Sequence, residues 1–256
     1  MLKKITLIGS GNVAHNLGHA FMAKGYEIVE VYSRASENAK QLAEKLNANY
    51  TSDLSKLNSK SDLYLIVSSD DAIEKIAKKL RLKDKLIVHT SGSVGIDVLK
   101  SASKNYGSFY PLQTFTKSHL TDVSHVPFCI EGNTKENKKA LIELAKTLSN
   151  KVIEMNSEQR QKLHLAAVFT SNFANYMQVI AQDICEEQEV DFDLLKPLMK
   201  EVFEKNLLHK TEQNQTGPAK RGDKFTMQKH AHLLKGDEEK QELYTLISRM
   251  IEKRFS

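Results

Sequence analysis

Two glycines and an alanine in the spacing Gly9-x-Gly11-x-x-Ala14, set directly after the apolar run Ile5-Thr-Leu-Ile8, constrain this chain more than any other feature. The run before them is short and β-rich, and residues 13–24 after them have helical periodicity. A strand that turns at once into a helix needs room at the turn. Gly9 permits the tight bend, Gly11 leaves the backbone open to approach, and Ala14 lets helix and strand lie close. The helix start then offers free amides and a positive dipole end to an anion. In this setting the spacing predicts a pyrophosphate cradle made by Gly9, Ser10, Gly11, Asn12 and Val13, and so a dinucleotide site. The alternative is a glycine turn with a purely structural role.

Strand-like and helix-like segments go on alternating. Residues 4–8, 28–32, 48–50, 63–68, 86–89, 107–110, 128–131 and 152–155 read as strands, and 13–24, 37–46, 72–79 and 135–148 as helices. Alternation of this kind predicts an α/β domain of the Rossmann type, a doubly wound, mostly parallel sheet covered on both faces. Past Ser157 the period changes. Leu163, Ala166, Ala167, Thr170, Phe173, Ala174, Met177, Ile180, Ala181 and Ile184 recur at three- and four-residue spacing, as on a long helix with a broad apolar face. Helical segments at 192–208 and 237–255 follow, with a turn-rich stretch at 214–223 between them. The expectation is a Rossmann domain over 1–156 and an all-α domain over 157–256. The apolar face of the second calls for cover by another subunit, a homodimer.

Composition narrows the partners. Basic residues exceed acidic ones by 37 to 32, a net +5 scattered along the chain, without the basic block and interleaved aromatics of a nucleic-acid binder. No apolar run approaches the roughly 20 residues that span a bilayer. The N-terminal apolar stretch is too short and glycine-capped for a secretion signal. Two cysteines, Cys129 and Cys185, form neither a disulfide framework nor a four-ligand zinc site. These readings predict a cytoplasmic protein that acts on a small molecule, with no metal, membrane or nucleic-acid partner.

The strand ends refine the cofactor. A dinucleotide fold that takes NAD carries an acidic residue at the tip of its second strand for the ribose 2′-hydroxyl. Here Glu30 falls within the strand and Ser33-Arg34 occupy the tip. A hydroxyl and a guanidinium suit a 2′-phosphate, which favours NADP over NAD. Arg34 as an ordinary solvated residue opening the next helix is the alternative. Ser68, Ser69, Thr90 and Ser91 follow two further strands, where open α/β sheets bind ligands. Ser69 could equally cap the helix after it.

Candidate chemistry lies further on. At 100° per residue His164, Val168, Ser171 and Asn175 share a face of the long helix, with Asn172 at its edge. Buried unpaired, such groups cost roughly 1–3 kcal/mol each, so this stripe needs partners in a ligand, the backbone or a second subunit. His164 is the candidate general acid or base. Gln113 and Thr114, after a strand and Pro111, are candidates to face substrate. In Thr216-Gly-Pro-Ala-Lys-Arg-Gly-Asp223, Arg221 suits a substrate carboxylate or phosphate with Asp223 orienting it; the alternative is a salt bridge capping the helix that follows.

Gly9–Ala14, Tyr32–Arg34, His89–Ser93, Tyr110–Phe115, His164–Asn172 and Thr216–Asp223 together make the whole chain resemble the Rossmann-like proteins with a C-terminal DUF2520 domain. That resemblance implies an NADP oxidoreductase laid out like the F420-dependent NADP reductases, pyrroline-5-carboxylate reductases and β-hydroxyacid dehydrogenases, with a helical domain that dimerises. The last of these place a catalytic Lys and an Asn on the long helix; the matching region here offers His164 and Asn172. The function expected is hydride transfer to or from a small, anionic carbonyl or imine compound in an interdomain cleft. A non-catalytic NADP(H)-binding sensor or scaffold is the second reading, and a deazaflavin in place of the organic substrate a third.

Overall fold

A computed structural model of the protein describes residues 2–255, and the chain divides into two compact units between Asn172 and Phe173. In the first unit β1 (Lys4–Ile8) leads through α1 (Asn12–Ala23) to β2 (Glu27–Tyr32), and α2 (Ser36–Lys45) to β3 (Asn49–Thr51). Next come β4 (Leu63–Ile66), α3 (Asp70–Lys79), β5 (Lys83–His89) and β6 (Ser103–Pro111). The unit closes with β7 (Phe128–Gly132), α4 (Lys135–Leu148), β8 (Val152–Glu154) and α5 (Ser157–Ala167). One eight-stranded sheet results, in the order β3-β2-β1-β4-β5-β6-β7-β8, parallel at every pair except β6–β7. The segment between those two strands holds only a short helical turn, and an antiparallel return needs no crossover helix. All four residues of β4 are buried, the continuous apolar run of a strand covered on both faces.

Each face has its own core. Leu17 and Phe21 of α1, Leu42 of α2 and Leu141 and Leu144 of α4 pack one side of the sheet, around Phe109 and Phe128. Ile73 and Ala77 of α3, with Ile96 and Leu99, pack the other against Tyr64, Ile66 and Ile87. The doubly wound sheet therefore stands as the alternation predicts. β6 starts four residues ahead of its predicted beginning. Its first residues are polar and join the sheet by hydrogen bonds: Ser103 Oγ donates to the Lys83 and Lys85 carbonyls (2.7 and 2.5 Å). An apolar-run criterion passes over such a segment.

The long helix expected after residue 157 is not continuous. Between α5 and α6 (Ala174–Glu187) residues Val168–Phe173 form a π-helix. Thr170 Oγ1 donates to the Ala166 carbonyl at 3.1 Å, competing with the helical ladder where two β-branched residues already crowd it. The wider turn departs from the 100° per residue that a stripe along one straight helix assumes. It also carries the division between the units, sixteen residues beyond the change in sequence pattern at 156, and α5 belongs with the sheet.

The second unit contains α6, α7 (Lys196–Leu208), α8 (Lys224–Leu233) and α9 (Glu238–Phe255). α8 is a helix the periodicity did not announce. Asp223 caps it, accepting from the Thr226 amide at 3.0 Å and from the Thr226 hydroxyl at 2.7 Å.

Candidate active site

The strand order reverses between β1 and β4, and a cavity of about 510 Å³ opens over the carboxyl ends of the strands there. Open α/β sheets take their ligands at this switch point. Gly9, Ser10, Gly11, Asn12 and Val13 line the cavity with Ser33, Arg34, Ser68, Ser69 and Thr90, so ten of the eleven candidate cofactor residues come together. Gly9 adopts φ +134°, and a Cβ there would lie 2.2 Å from the Val67 carbonyl oxygen. Nothing stands within 4 Å of the Cβ that Gly11 lacks, and no side chain caps α1. The helix amides therefore face open space. The Ser68 hydroxyl is buried without a partner in the protein. Glu30 is buried and accepts from the Asn58 amide at 2.8 Å, which occupies the one acidic group of β2 near the strand tip. Periodicity did not point to Lys75 and Lys79 of α3, which line the same cavity. Ser69 sits at the N-cap position of α3 without a side-chain cap bond to its backbone.

The eleventh residue, Ser91, organises the neighbouring loop: its Oγ accepts from the Ser93 and Val94 amides at 3.1 and 3.0 Å. Gly92 follows, buried against His164. A Cβ on it would lie 2.6 Å from His164 Cγ, so only glycine lets the imidazole settle there. His164 Nδ1 and the Tyr110 hydroxyl share a hydrogen bond of 3.0 Å, their rings edge to face. Burial pushes the Tyr110 pKa up to about 12, so the phenol keeps its proton near neutral pH. The bond to Tyr110 occupies Nδ1 and leaves Nε2 outside it. Residue spacing gives no sign of Tyr110; the only local signal is a polar tip near the end of β6, three residues before Gln113.

Thr114 Oγ1 and Ser171 Oγ lie 3.2 Å apart, which joins two more of the candidates. The exposed Gln113 side chain accepts from the Thr114 amide at 2.8 Å. Asn172 is exposed within the π-helix. Arg221 is exposed in the second unit, and Asp223 there is the α8 cap. His230 pairs with the Tyr244 hydroxyl at 2.9 Å.

A Gly-rich strand–turn–helix at a switch point, with a cation at the second strand tip, defines a dinucleotide-binding protein of the Rossmann class. Residues 4–92 match the family described as NADP oxidoreductase, coenzyme F420-dependent, and residues 126–251 the domain of unknown function DUF2520. A solved structure from Bacteroides fragilis, assigned as an NADP oxidoreductase, is similar at 40% identity over 98% of both chains, with a TM-score of 0.90. The chain belongs to this family of NADP oxidoreductases with a DUF2520 domain. Its fold is also that of an imine reductase from Myxococcus stipitatus in complex with NADP⁺ (16% identity, TM-score 0.66, covering 98% of this chain and 92% of that one). A pyrroline-5-carboxylate reductase from Coxiella burnetii shares it as well (18%, TM-score 0.60, 99% and 97%). No curated protein matches the chain.

At the end of β5, just before the loop that holds Gly92, lies His89, 0% exposed, its Nδ1 accepting from the Ser91 amide at 3.2 Å. Burial, and secondarily the charge of Arg160, lower its pKa to about 3 from the ordinary 6.5. Between those values the unfolded chain binds a proton that the folded chain refuses, so stability rises with pH through the window. The stability is fully present above pH 6.5 and is lost as pH falls toward 3. Lowering the pH from 7 to 5 should remove about 2 kcal/mol through this group, read as a fall in urea-unfolding free energy. His89→Gln should flatten that dependence; equal slopes in both proteins would mean that the native imidazole protonates freely.

Proposed function

We propose that this protein is an NADP-dependent oxidoreductase that passes a hydride to or from a small carbonyl or imine compound, with His164 supplying the proton. The switch-point cavity, glycine-floored at one end and bearing Arg34 at the other, carries this reading. Gly9–Val13 would hold the pyrophosphate on the α1 amides, and Ser33 and Arg34 the 2′-phosphate. When bound, the reduced nicotinamide supplies a hydride. His164 serves the other half of the balance. As the substrate carbon takes the hydride, its oxygen or nitrogen takes the Nε2 proton of a protonated His164, which is left as neutral imidazole, and solvent returns the proton afterwards. Tyr110 fixes the ring from behind, and Thr114 and Ser171 are hydrogen-bonding groups of the same unit for the substrate's polar end. The imine and pyrroline carboxylate in the names of the structural neighbours favour an imine, and the scattered positive charge an anionic one.

We also infer a homodimer. Leu198, Leu207 and Leu208 of α7 are 61%, 85% and 76% exposed in the single chain, and a second copy would cover them. Sedimentation equilibrium should find a dimer at micromolar concentration; a monomer throughout would reject the inference.

Arg34→Ala should weaken NADPH binding by roughly 1.5–3 kcal/mol, the worth of a charged hydrogen bond, and leave NADH binding nearly unchanged. Calorimetric titration reads both, and an equal loss for the two would remove the ground for choosing NADP. NADPH oxidation with pyrroline-5-carboxylate and small keto acids tests turnover. His164→Asn should keep NADPH affinity while the rate falls roughly 10²–10⁴-fold; an unchanged rate would retire His164 as proton donor.

A further inference from the structure

Among the described residues Arg160 is the one Lys or Arg that is buried, at 0% exposure. Its Nη1 donates to Glu131 Oε2, and its Nη2 to the Val94 carbonyl at 2.6 Å and to Ser157 Oγ at 3.2 Å. Ser157 Oγ donates in turn to Glu131 Oε2 at 2.7 Å and accepts from the Ile96 amide at 3.3 Å. Next to Arg160, Gln161 Nε2 donates to the Ser93 carbonyl at 2.8 Å. The first turns of α5 are thus pinned both to β7 and to the loop that holds Gly92.

The strand register shows what this pinning sets. His89 of β5, Ser108 of β6 and Glu131 of β7 are successive neighbours across the sheet, and Arg160 is bonded to the last of them. Two residues further along β6 stands Tyr110, and four residues further along α5 stands His164, which meets it. Two strand residues rise roughly 6.6 Å and four helical ones roughly 6 Å. A helix anchored at Arg160 over the first row therefore delivers its next turn to the second. Slipping α5 by one residue would swing the ring by roughly 100°. This placement of the helix satisfies the Arg160 fork and the Tyr110 bond together.

We propose that Arg160 is the positioning residue of the site: through Glu131 and the Val94 carbonyl it sets α5 in register on β6, and so holds His164 against Tyr110 with Nε2 left for the substrate. The proposal rests on the reading of His164 as proton donor, but its test does not need turnover. In protein labelled with ¹⁵N at histidine, the His164 ring signals, assigned by their loss in His164→Asn, should show a single tautomer. The double variant Arg160→Met/Glu131→Gln removes both charges of the pair together, which spares the fold the cost of leaving the buried guanidinium alone. It should still bind NADPH by calorimetry, yet its His164 signals should move to the mixed-tautomer average of a free imidazole. Arg160→Lys, with one point donor in place of a fork, should fall between. Ser157→Ala removes the hydroxyl bridging the pair without touching a charge, should shift the signals in the same direction by less, and decides the matter if the double variant does not fold. Wild-type His164 signals in a folded, NADPH-binding double variant, or in Ser157→Ala should that variant not fold, would overturn the proposal. Normal turnover by His164→Asn would instead remove the proton-donor reading and leave the ring-signal shift standing.

Discussion

A methyl group on residue 9 would run into the Val67 carbonyl, and the first unit depends on its absence. Gly9 donates its amide to the Tyr32 carbonyl at 2.8 Å and turns at φ +134°, at the point where β1 gives way to α1 between β2 and β4. Because those strands leave β1 on opposite sides, the sheet must reverse its order there, and the helices on its two faces must part. The gap is a consequence of topology. Its chemistry lies at the rim, where one strand end presents amides and the next a guanidinium.

How far this was legible depends on which force builds each part. Where burial alone decides, as in β1, β4 and α4, the apolar pattern locates the element to within a residue or two, because every side chain there reports the same requirement. Where polar contacts decide, the pattern is silent. β6 begins on Ser103 and Asn105, which bond to carbonyls of the segment Lys83–Lys85, and α8 begins on a capping carboxylate. The π-helix at Val168–Phe173 is the sharpest case. Its hydrogen bonds skip one residue further than an α-helix allows, and no apolar period announces a change of that kind before the phase has been lost. For the site the division is the same. The cofactor residues sit within a few positions of strand ends and are readable one segment at a time. Tyr110, Gly92, Glu131 and Arg160 matter through contacts 29 to 72 residues apart along the chain, which no local window contains.

Burying a guanidinium calls for an explanation, because a buried ion pair seldom adds net stability and often adds less than apolar residues of the same volume. Its usual compensation is direction. Arg160 has donors at fixed angles, and Glu131, Val94 and Ser157 take them only when α5 stands at one height and one rotation. A leucine in its place would tolerate sliding. Burial first, and the Arg160 charge second, keep the neighbouring His89 neutral and lower its pKa. His89 Nε2, Ser108 Oγ and Arg160 Nε also remain without protein partners in the buried row, another sign that this region is shaped for something other than stability.

The same reasoning separates the two histidines that lie on either side of Gly92. His89 is enclosed, charge-averse and committed to the Ser91 amide, so it can orient the loop but has no path to a ligand. His164 is half buried, presses one face on a bare Cα and gives one nitrogen to a phenol that will not ionise near neutral pH. Only one atom of its ring is left to do chemistry. A proton carrier benefits from that restriction, since a ring free to rotate would spend part of its time presenting the wrong nitrogen. The loop from Thr90 to Gly92 ties this atom to the cofactor cavity in two residues, Thr90 lining the one and Gly92 seating the other. The cavity and the proposed proton donor are therefore joined by a single short stretch of backbone, and whatever fixes that stretch bears on both.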